Sequence, residues 1–255
     1  MTDPAPTPAP RWTERAARQR QREFWDGRFG EDPDHMGESV SPLLRIALDQ
    51  LEADGRGRRL VELGCGAGRD LVEFVARGYT VAAIDVSHVA VRAARRRSMD
   101  APRPDGVPRP IIDHGEALEF LATQPEASAD AVYSNLFLTM GSPARHVTRV
   151  FGEIARVLRP GGLHLFSVRA TDDAWFGRGR RLAPSVFDLA PDGPPVRFYD
   201  EAELRRRTRG RFVRVFQSEG SEGSGRFRRR VLYTVDRRAL PDARVLNPAT
   251  PPVPG

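Results

Sequence analysis

A short apolar run that ends at an acid-bearing turn with three alternating glycines constrains this chain more than any other feature. The run reads Leu60-Val61-Glu62-Leu63-Gly64-Cys65-Gly66-Ala67-Gly68. Apolar runs of this length are typical of strands buried in a parallel sheet. Glycines directly after such a strand let the backbone turn tightly and approach a ligand, and the helix that follows offers free N–H groups. The segment therefore predicts a nucleotide-type cofactor site in an α/β fold.

The spacing of the glycines separates two kinds of cofactor. A dinucleotide fingerprint has the pattern G-x-G-x-x-G, in which the third glycine packs the helix on the strand. Here that third position is Arg69, and an acid precedes glycines at alternate positions instead. A second apolar run over 80–84 ends in Asp85, which stands 21 positions after Gly64. At about this separation a carboxylate can accept hydrogen bonds from ribose hydroxyls.

These residues resemble the class I S-adenosylmethionine-dependent methyltransferases. The resemblance continues through Gly115-Glu116-Ala117, the strand-like segment 129–135 and the helix-turn-strand segment 157–165, so it covers about residues 55–170. It implies a Rossmann-like, doubly wound α/β fold with a seven-stranded sheet of order 3-2-1-4-5-7-6, the last strand being antiparallel. It also implies S-adenosylmethionine as the cofactor and S-adenosylhomocysteine as the product. A dinucleotide or flavin site, or a fold without a ligand, are the alternatives.

The resemblance also implies which residues bind the cofactor. Asp85 would hold the ribose, Glu116 and Ala117 the adenine, and an aromatic segment near the N-terminus would cover the methionine part. An alternative for that segment is that its aromatic residues only pin a helix to the core. The small Cys65 is expected to fit against the ligand rather than to act as a nucleophile. The predicted cofactor-binding residues are Trp25, Arg28, Glu62, Gly64, Cys65, Gly66, Gly68, Asp70, Asp85, Val86, Glu116, Ala117, Asn135 and Leu136.

Residues 169–199 interrupt the alternation of strands and helices and show little periodicity. A loop of this length inside a compact domain is uncommon and usually functional, which predicts a lid over the substrate, although a segment that packs without touching substrate is the alternative. Asp173 and Tyr199 are its candidate catalytic groups; His35, His114, His146 and Asp172 are other possible bases. The predicted substrate-binding residues are Phe24, Phe29, Arg169, Trp175, Phe176, Arg197 and Tyr199.

The methyl acceptor is predicted to be a small molecule. Segments such as Gly68-Arg69-Asp70-Leu71 look most like the tellurite-resistance and thiopurine branch, which implies thiol or chalcogen acceptors, with phenols and natural-product intermediates left open. The segment Ser134-Asn135-Leu136-Phe137 lacks the prolines typical of enzymes that methylate nucleobase nitrogens, which argues against a nucleic acid as the substrate. The rival hypotheses are an RNA- or protein-directed methyltransferase that uses the Arg-rich C-terminal third, and a non-catalytic cofactor-binding module.

Composition, together with the distribution of apolar and proline-rich segments, predicts the localisation, the partners and the domain organisation of the chain. The chain of 255 residues has 40 basic residues, all of them Arg, against 34 acidic ones, one Cys and a net charge of +6. The absence of an apolar leader, of a run of about twenty apolar residues and of a metal-ligand cluster predicts a cytoplasmic protein, without membrane or metal partner, that is a monomer or homodimer. The expected organisation is a disordered tail (1–10), an N-terminal helical cap (11–57), a methyltransferase domain (58–238) and a loose tail (239–255).

Overall fold

The computed structural model describes residues 14–37, 39–190, 193–223 and 228–240. The predicted tail 1–10 and nearly all of the predicted tail 239–255 lie outside these residues. The helices are α1 (Glu14–Glu31), α2 (Pro42–Asp54), α3 (Leu71–Ala76), α4 (His88–Asp100), α5 (Ala117–Thr123), the 3₁₀ helix η1 (Phe137–Thr139), α6 (Ala144–Val157) and α7 (Glu201–Thr208). The strands are β1 (Arg59–Leu63), β2 (Thr80–Asp85), β3 (Ile111–His114), β4 (Ala129–Ser134), β5 (Leu158–Arg169), β6 (Arg180–Ala183), β7 (Val186–Asp188), β8 (Val196–Arg197), β9 (Phe212–Glu222) and β10 (Arg229–Arg238).

The main sheet has seven strands in the order β3-β2-β1-β4-β5-β10-β9. The first five run parallel, and β10 lies antiparallel between β5 and β9. Counted in chain order within this sheet, the order is 3-2-1-4-5-7-6, so the predicted fold is confirmed. Because β1 is followed by β2 on one side and paired with β4 on the other, a crevice opens at the carboxyl ends of β1 and β4.

Helices cover both faces of the sheet because its central strands are apolar on both sides. On one face, Leu60 joins a core with residues of α2, α3 and α4, including Leu44 and Phe74. On the other face, Val61 and its strand neighbours pack against α5, α6 and α7. Helix α2 was predicted to belong to an N-terminal helical cap. In the structure its apolar residues are buried in the core that contains Leu60, so α2 packs directly against the sheet.

Local signals set the helix starts. Ser41 accepts a hydrogen bond from the Leu44 N–H (3.1 Å) before Pro42 at the first turn of α2, and Ser87 accepts one from Ala90 (3.1 Å) at the start of α4. These are the N-cap bonds that satisfy otherwise unpaired donors.

The insert between β5 and α7 differs from the expected loop. Strands β6, β7 and β8 form a small antiparallel sheet, with Val186, Phe187 and Phe198 buried beneath it. Strands of two to four residues are too short to produce a periodic pattern in a sequence window. The insert is also fastened to the segment after β4 through a hydrogen bond from the Gly141 N–H to the Pro195 carbonyl (2.7 Å).

Candidate active site

A cavity of about 530 Å³ lies at the carboxyl ends of β1, β2 and β4. Its volume falls within the roughly 300–1,000 Å³ typical of small-molecule sites. The glycine loop after β1 forms its floor, α1 and the turn 33–37 cover it, and the segment 135–150 together with the insert closes the far end. This is the position at which open parallel sheets bind ligands, because both β1 and β4 leave their backbone ends unobstructed there.

The glycine loop has the backbone shape that its sequence predicts. Gly64, Gly66 and Gly68 have φ angles of 73°, 55° and 82°, in the region that favours glycine. The loop is held by hydrogen bonds from the Gly64 and Cys65 N–H groups to the Ile84 carbonyl (2.9 and 3.2 Å). Gly64 and Gly66 line the cavity. They are therefore placed to let a ligand approach the backbone.

Gly68 has a different role from the cofactor contact that was predicted. It is not part of the cavity wall. A Cβ at this position would lie 3.0 Å from the Cβ of Ala94 on α4, so the missing side chain lets the loop pack closely against that helix. Cys65 does line the cavity, and burial raises the pKa of its thiol well above the ordinary value. A protonated buried thiol fits the expectation that Cys65 is not a nucleophile.

Three acids from three strand ends meet at the cavity wall: Glu62, Asp85 and Glu116. Asp85 accepts hydrogen bonds from the Gly66 and Ser87 N–H groups, each at 2.8 Å, which fixes its carboxylate beside the loop. Burial raises its pKa, and these two bonds act against that increase. Val86 and Ala117, the residues that follow two of these acids, also line the cavity.

Two of the acids keep oxygen atoms without hydrogen-bond donors. The Glu62 Oε2 and Glu116 Oε1 atoms are buried and have no hydrogen-bond partner among the described residues, although the Arg22 guanidinium lies 3.5 Å from Glu116 Oε1. Burial, with the nearby charges of Asp70 and Asp85, raises the pKa of Glu62 well above its usual range. Buried polar atoms of this kind are normally satisfied. They mark places where a ligand can donate hydrogen bonds or carry a positive charge.

Asp70, also predicted to bind cofactor, lines the cavity but is already engaged. Its two oxygens accept from the Ser41 N–H (2.9 Å) and the Tyr133 hydroxyl (2.7 Å). The Tyr133 hydroxyl is also 2.9 Å from the Ser41 Oγ. The carboxylate therefore ties the start of α2 to β4 behind the glycine loop. This arrangement makes Asp70 a positioning residue for the loop.

The aromatic segment of α1 covers the glycine loop. Trp25 and Phe29 contact each other and the His35 ring, with centroid separations between 4.7 and 5.9 Å. Phe29 was predicted to bind substrate, but its ring tip lies 3.1 Å from the Cβ position of Gly66, on the loop side of the cavity. Asp26 accepts a hydrogen bond from Ser87 Oγ (2.7 Å), which attaches α1 to the start of α4. Helix α1 therefore packs against the domain and also lines the cavity. Phe24, Trp25 and Arg28 belong to the same wall.

The far end of the cavity is formed after β4. Asn135 and Leu136 line it, and Leu136 has a φ of 56°, which turns the chain sharply into η1. The Leu136 N–H donates to Ser167 Oγ at 2.9 Å, which holds this turn against β5. The rest of this wall consists of Phe137, Leu138, Thr139, Met140, Ser142, His146, Val147 and Val150, with Leu189, Ala190, Gly193, Pro194 and Val196 of the insert.

The catalytic candidates of the insert, Asp173 and Tyr199, lie outside the cavity wall. The Asp173 carboxylate accepts from Arg169 (2.7 Å) and from the N–H groups of Trp175 and Arg230 (2.8 Å each). The buried Tyr199 hydroxyl donates to the Leu138 carbonyl (2.7 Å), and burial raises its pKa. Both groups use their polar atoms to fasten the insert, and neither presents them to the cavity. The structure thus gives no support to a catalytic role for them.

Most of the substrate candidates of the insert are also displaced from the cavity. Trp175, Phe176 and Arg197 are absent from its wall, whereas Arg169 belongs to it. Phe176 packs on Phe187 and Phe198, Trp175 lies beside Arg178, and Arg197 donates to the Ser142 carbonyl (2.7 Å). The aromatic residues form the insert's own core, and its small apolar residues face the cavity instead.

The structure brings other residues to the cavity that the pattern did not select. His35 and His146, two of the several possible bases, line it, whereas His114 and Asp172 do not. Met36, Arg69 and Arg229 also line it. Apart from Arg69, which directly follows the glycine motif, no local motif marks these positions, and they come from four places in the chain: 35–36, 69, 146 and 229. Only the tertiary fold places them together.

The Arg-rich C-terminal third is largely paired on its helix. Arg205 pairs with Glu201 (2.6 Å), and both Arg206 and Arg207 pair with Glu203 (2.5 Å each). Such helix pairs are typical of a solvated face.

Among the described residues, no helix has the length and apolar character needed to cross a membrane. In the same residues, no cluster of His, Cys, Asp or Glu side chains is placed to hold a metal ion.

The residues of the cavity fit S-adenosylmethionine on the structure's own evidence. Gly64 and Gly66 line the cavity, Asp85 stands fixed at the end of β2, and among the described residues the Glu62 Oε2 and Glu116 Oε1 atoms in the same wall have no hydrogen-bond partner. A family profile described as a methyltransferase domain matches residues 60–162, which includes all of these positions. Residues 60–162 therefore form a methyltransferase domain, in a sheet with the strand order of the class I S-adenosylmethionine-dependent methyltransferases.

Individual relatives agree with this class. A ubiquinone biosynthesis O-methyltransferase from Paracidovorax citrulli is 28% identical over 204 residues, which cover 78% of this chain and 79% of that protein. The dimethylglycine N-methyltransferase of Parasynechococcus marenigrum is 30% identical over 57% of this chain and 53% of its own length. The resemblance to the tellurite-resistance and thiopurine branch stays a prediction.

Solved structures share the fold. A methyltransferase from Methanosarcina mazei superposes with a TM-score of 0.64 at 18% identity, covering 79% of this chain and 99% of that chain. The 1,6-didemethyltoxoflavin-N1-methyltransferase of Burkholderia thailandensis, solved with 1,6-didemethyltoxoflavin and S-adenosylhomocysteine, has a TM-score of 0.62 at 22% identity and covers 92% of this chain and 94% of its own.

Proposed function

We propose that this enzyme transfers the methyl group of S-adenosylmethionine to an oxygen atom of a small organic acceptor, such as a phenol. The observation that carries the proposal is one cavity with two unlike ends: a polar end at the glycine loop, and an apolar end that includes Phe137, Leu138 and Met140. The O-methyltransferase relatives support oxygen as the acceptor atom. A small-molecule acceptor is supported by the cavity volume of about 530 Å³, which lies in the range of small-molecule sites.

The chain's own groups would bind the cofactor along the polar end. Bound S-adenosylmethionine supplies a methyl group that is already activated by the positive sulfur. Asp85 would accept hydrogen bonds from the ribose, Glu116 would accept one from the adenine amine, and the Oε2 atom of Glu62, which has no hydrogen-bond partner among the described residues, would accept one from the bound cofactor. The covering aromatic residues of α1 would exclude water. Holding donor and acceptor in line in this way is worth about 7–11 kcal/mol in suitable systems.

His35 is the proposed general base for the acceptor hydroxyl. Its Nδ1 lies 2.9 Å from the Asp32 carbonyl, a contact that requires the proton on Nδ1 and leaves the lone pair on Nε2. The Nε2 atom is buried and has no partner among the described residues. Burial lowers the pKa of this imidazole, so the ring is neutral near pH 7 and able to accept a proton.

The cofactor is tested by calorimetric titration with S-adenosylmethionine and, separately, with NAD. We expect S-adenosylmethionine to bind with a micromolar Kd, and Asp85→Asn to weaken it by about tenfold or more, because two charge-assisted hydrogen bonds are lost. Asp113→Asn is the matched control, since Asp113 is an exposed acid on neighbouring β3 that does not line the cavity. Preference for NAD would reject the proposal.

The base is tested with whichever acceptor the wild-type enzyme methylates in a panel of phenols and thiols. His35→Gln should lower kcat by about 100-fold and remove the acidic limb of the pH–rate profile. His114→Gln, which changes an exposed histidine outside the cavity, should leave both unchanged. If His146→Gln abolishes the acidic limb and His35→Gln does not, the assignment of the base to His35 is wrong. A chain that methylates thiols but no hydroxyl would refute the oxygen acceptor.

A further inference from the structure

Two arginines approach the far end of the cavity from neighbouring strands. Arg169 is the last residue of β5, and Arg229 is the first residue of β10; both line the cavity. The register pairs Arg169 with Val231, so Arg229 lies two residues beyond that pair, past the carboxyl end of β5. The antiparallel placement of β10 therefore brings a second cation above the strand end that carries the first.

Arg169 is held rigidly. It is 8% exposed, its guanidinium lies 4.8 Å from the centre of the Phe198 ring, and one terminal nitrogen donates to Asp173 (2.7 Å). Its Nε is buried and has no hydrogen-bond partner among the described residues. Asp173 shares its charge with two backbone N–H groups as well. The arginine thus has unused donor capacity in a fixed position.

Arg229 has no counterion within ion-pair distance among the described residues. Its cross-strand neighbour Glu222 has a buried oxygen without a hydrogen-bond partner and makes no ion pair with it. Burial raises the pKa of Glu222, whereas the charges of Arg69 and Arg229 lower it. Burial and the adjacent Arg169 lower the pKa of Arg229. Two partly desolvated cations side by side are unfavourable unless an anion joins them.

The position of this pair separates it from the glycine loop. Neighbouring strands lie about 4.8 Å apart, so β5 is roughly 10 Å and β10 roughly 14 Å from β1 across the sheet. Arg28 of α1 also lines the cavity, and its charge acts on Arg229. Because Arg169 and Arg229 are carried by the two strands farther from the glycine loop, we assign this pair to the acceptor end of the cavity.

We propose that the methyl acceptor carries an oxyanionic group, a carboxylate or a phosphate, that Arg169 and Arg229 bind together. This inference rests on the proposed function, because it assigns the far end of the cavity to the acceptor. Two guanidinium groups present several N–H donors to one planar or tetrahedral oxyanion. The pair would orient the acceptor so that its nucleophilic atom faces the glycine loop.

The test measures binding of matched probe pairs in the presence of saturating S-adenosylhomocysteine. The pairs are 3,4-dihydroxybenzoate with 3,4-dihydroxybenzamide, phenyl phosphate with phenol, and succinate with succinamide, each titrated by NMR. We expect the anionic member of at least one pair to bind about tenfold more tightly to the wild type, as a charge-assisted contact should. The benzoate and phosphate pairs distinguish the two oxyanions.

Arg229→Gln should reduce that preference to about threefold or less while leaving the Kd of S-adenosylhomocysteine unchanged. Arg228→Gln is the matched control: Arg228 is exposed, adjacent and outside the cavity wall, so it should keep the full preference. Arg229→Lys should restore part of it. Thermal unfolding of each variant verifies that the fold is intact.

Two results would overturn the inference. One is that no probe pair shows a preference that depends on Arg229. The other is that Arg229→Gln weakens S-adenosylhomocysteine as much as the probes, which would assign the cation to the cofactor. If S-adenosylhomocysteine does not bind the wild type but the anion preference persists without it, the proposed function fails and the anion site stands.

Discussion

The two halves of the cavity are built in different ways. The glycine-loop half is built on three short segments at the ends of β1, β2 and β3, residues 62–67, 85–86 and 115–117, with α1 and the turn 33–37 beside them. The insert half combines residues after β4 with single positions of β5 and β10 and with the loop around 189–196. Within the first half, each strand end and its turn set their own geometry; in the second, the geometry depends on how distant segments dock.

This difference follows from what each half binds. A nucleotide-type cofactor needs backbone donors, tight turns and a few acids, and a short sequence can specify all of these locally. An acceptor site needs a shaped wall, which the insert supplies through small residues such as Ala190 and Pro194 while its aromatic residues form a separate core. The same fold can therefore serve many acceptors, because the insert half can change without altering the glycine-loop half.

The largest expected effect is a loss of cofactor-product binding caused by a substitution in the glycine-loop half of the cavity. Gly64→Ala places a Cβ 3.2 Å from the Phe137 ring at a φ of 73°. A left-handed conformation costs a non-glycine residue about 1–2 kcal/mol, so with the contact we expect S-adenosylhomocysteine to bind about 30-fold more weakly in calorimetry. Gly106→Ala is the control, because Gly106 has a similar φ of 81° and open space around it. Equal losses in both variants would attribute the effect to general destabilisation.

The next effect concerns β5 in the insert half. His164 is fully buried, and burial with the nearby Arg214 charge lowers its pKa to about 3. Below the ordinary pKa of about 6.5 the unfolded chain binds a proton that the folded chain does not, so the free energy of unfolding falls as the pH drops from there towards 3. The expected slope is about 1.4 kcal/mol per pH unit for this residue.

His164→Phe should remove that part of the acid sensitivity, since Phe cannot be protonated and the site is already aromatic, with Phe151, Phe166 and Phe212 around it. Urea unfolding at pH 7.5, 6.0 and 5.0 gives the slope for each protein. His114→Phe, a change at an exposed site, should retain the wild-type slope. Identical slopes for wild type and His164→Phe would contradict the assignment.

A smaller effect tests how the insert is fastened. Tyr199→Phe removes the hydroxyl that donates to the Leu138 carbonyl, so the free energy of unfolding should fall by about 1 kcal/mol. With a confirmed acceptor, kcat should stay within about threefold of the wild type, whereas loss of a general base would lower it by about 10²–10⁴-fold. A loss of that size, without a matching loss of stability, would restore Tyr199 as a catalytic residue.

The smallest effect concerns the α1 cover. The carboxylate of Asp26 accepts from Ser87 Oγ and lies 3.0 Å from the His88 ring; despite burial, these hydrogen bonds lower its pKa. Asp26→Asn should weaken S-adenosylhomocysteine binding by about threefold, mainly through faster release in stopped-flow measurements. Glu23→Gln alters an exposed acid on the same helix and should change nothing. A larger loss for Glu23→Gln would mean that α1 closes through its charge rather than through this anchor.

The residues that could be predicted from the sequence lie mainly in the glycine-loop half of the cavity. Glu62 and Asp85 were named from the spacing around the glycine motif and Glu116 from the family resemblance, and all three line the cavity, because each lies at or just beyond the carboxyl end of a strand of the parallel sheet. Their roles towards the cofactor stay predictions. Gly68 was grouped with them by pattern, yet it packs on Ala94, because a glycine in a motif can serve either a ligand or a neighbouring helix.

For the insert, the same reasoning selected residues by chemical type and failed to place them. Phe176 packs against the buried Phe187 and Phe198 of the insert, and the buried Tyr199 bonds to the Leu138 carbonyl, so these aromatic residues stabilise the insert and do not line the cavity. The three short strands were missed because two to four residues carry no readable period.

The sequence by itself determined the glycine loop and the acid that follows the second strand, because strand ends and tight turns are specified by residues that are adjacent in the chain; the sheet order followed from the family resemblance of these motifs. Only the tertiary structure decided that Arg229 meets Arg169, that His35 lies under Trp25 and that the insert presents its small residues to the cavity. Those contacts join segments far apart in sequence, and their geometry comes from the packing of whole elements rather than from any local pattern.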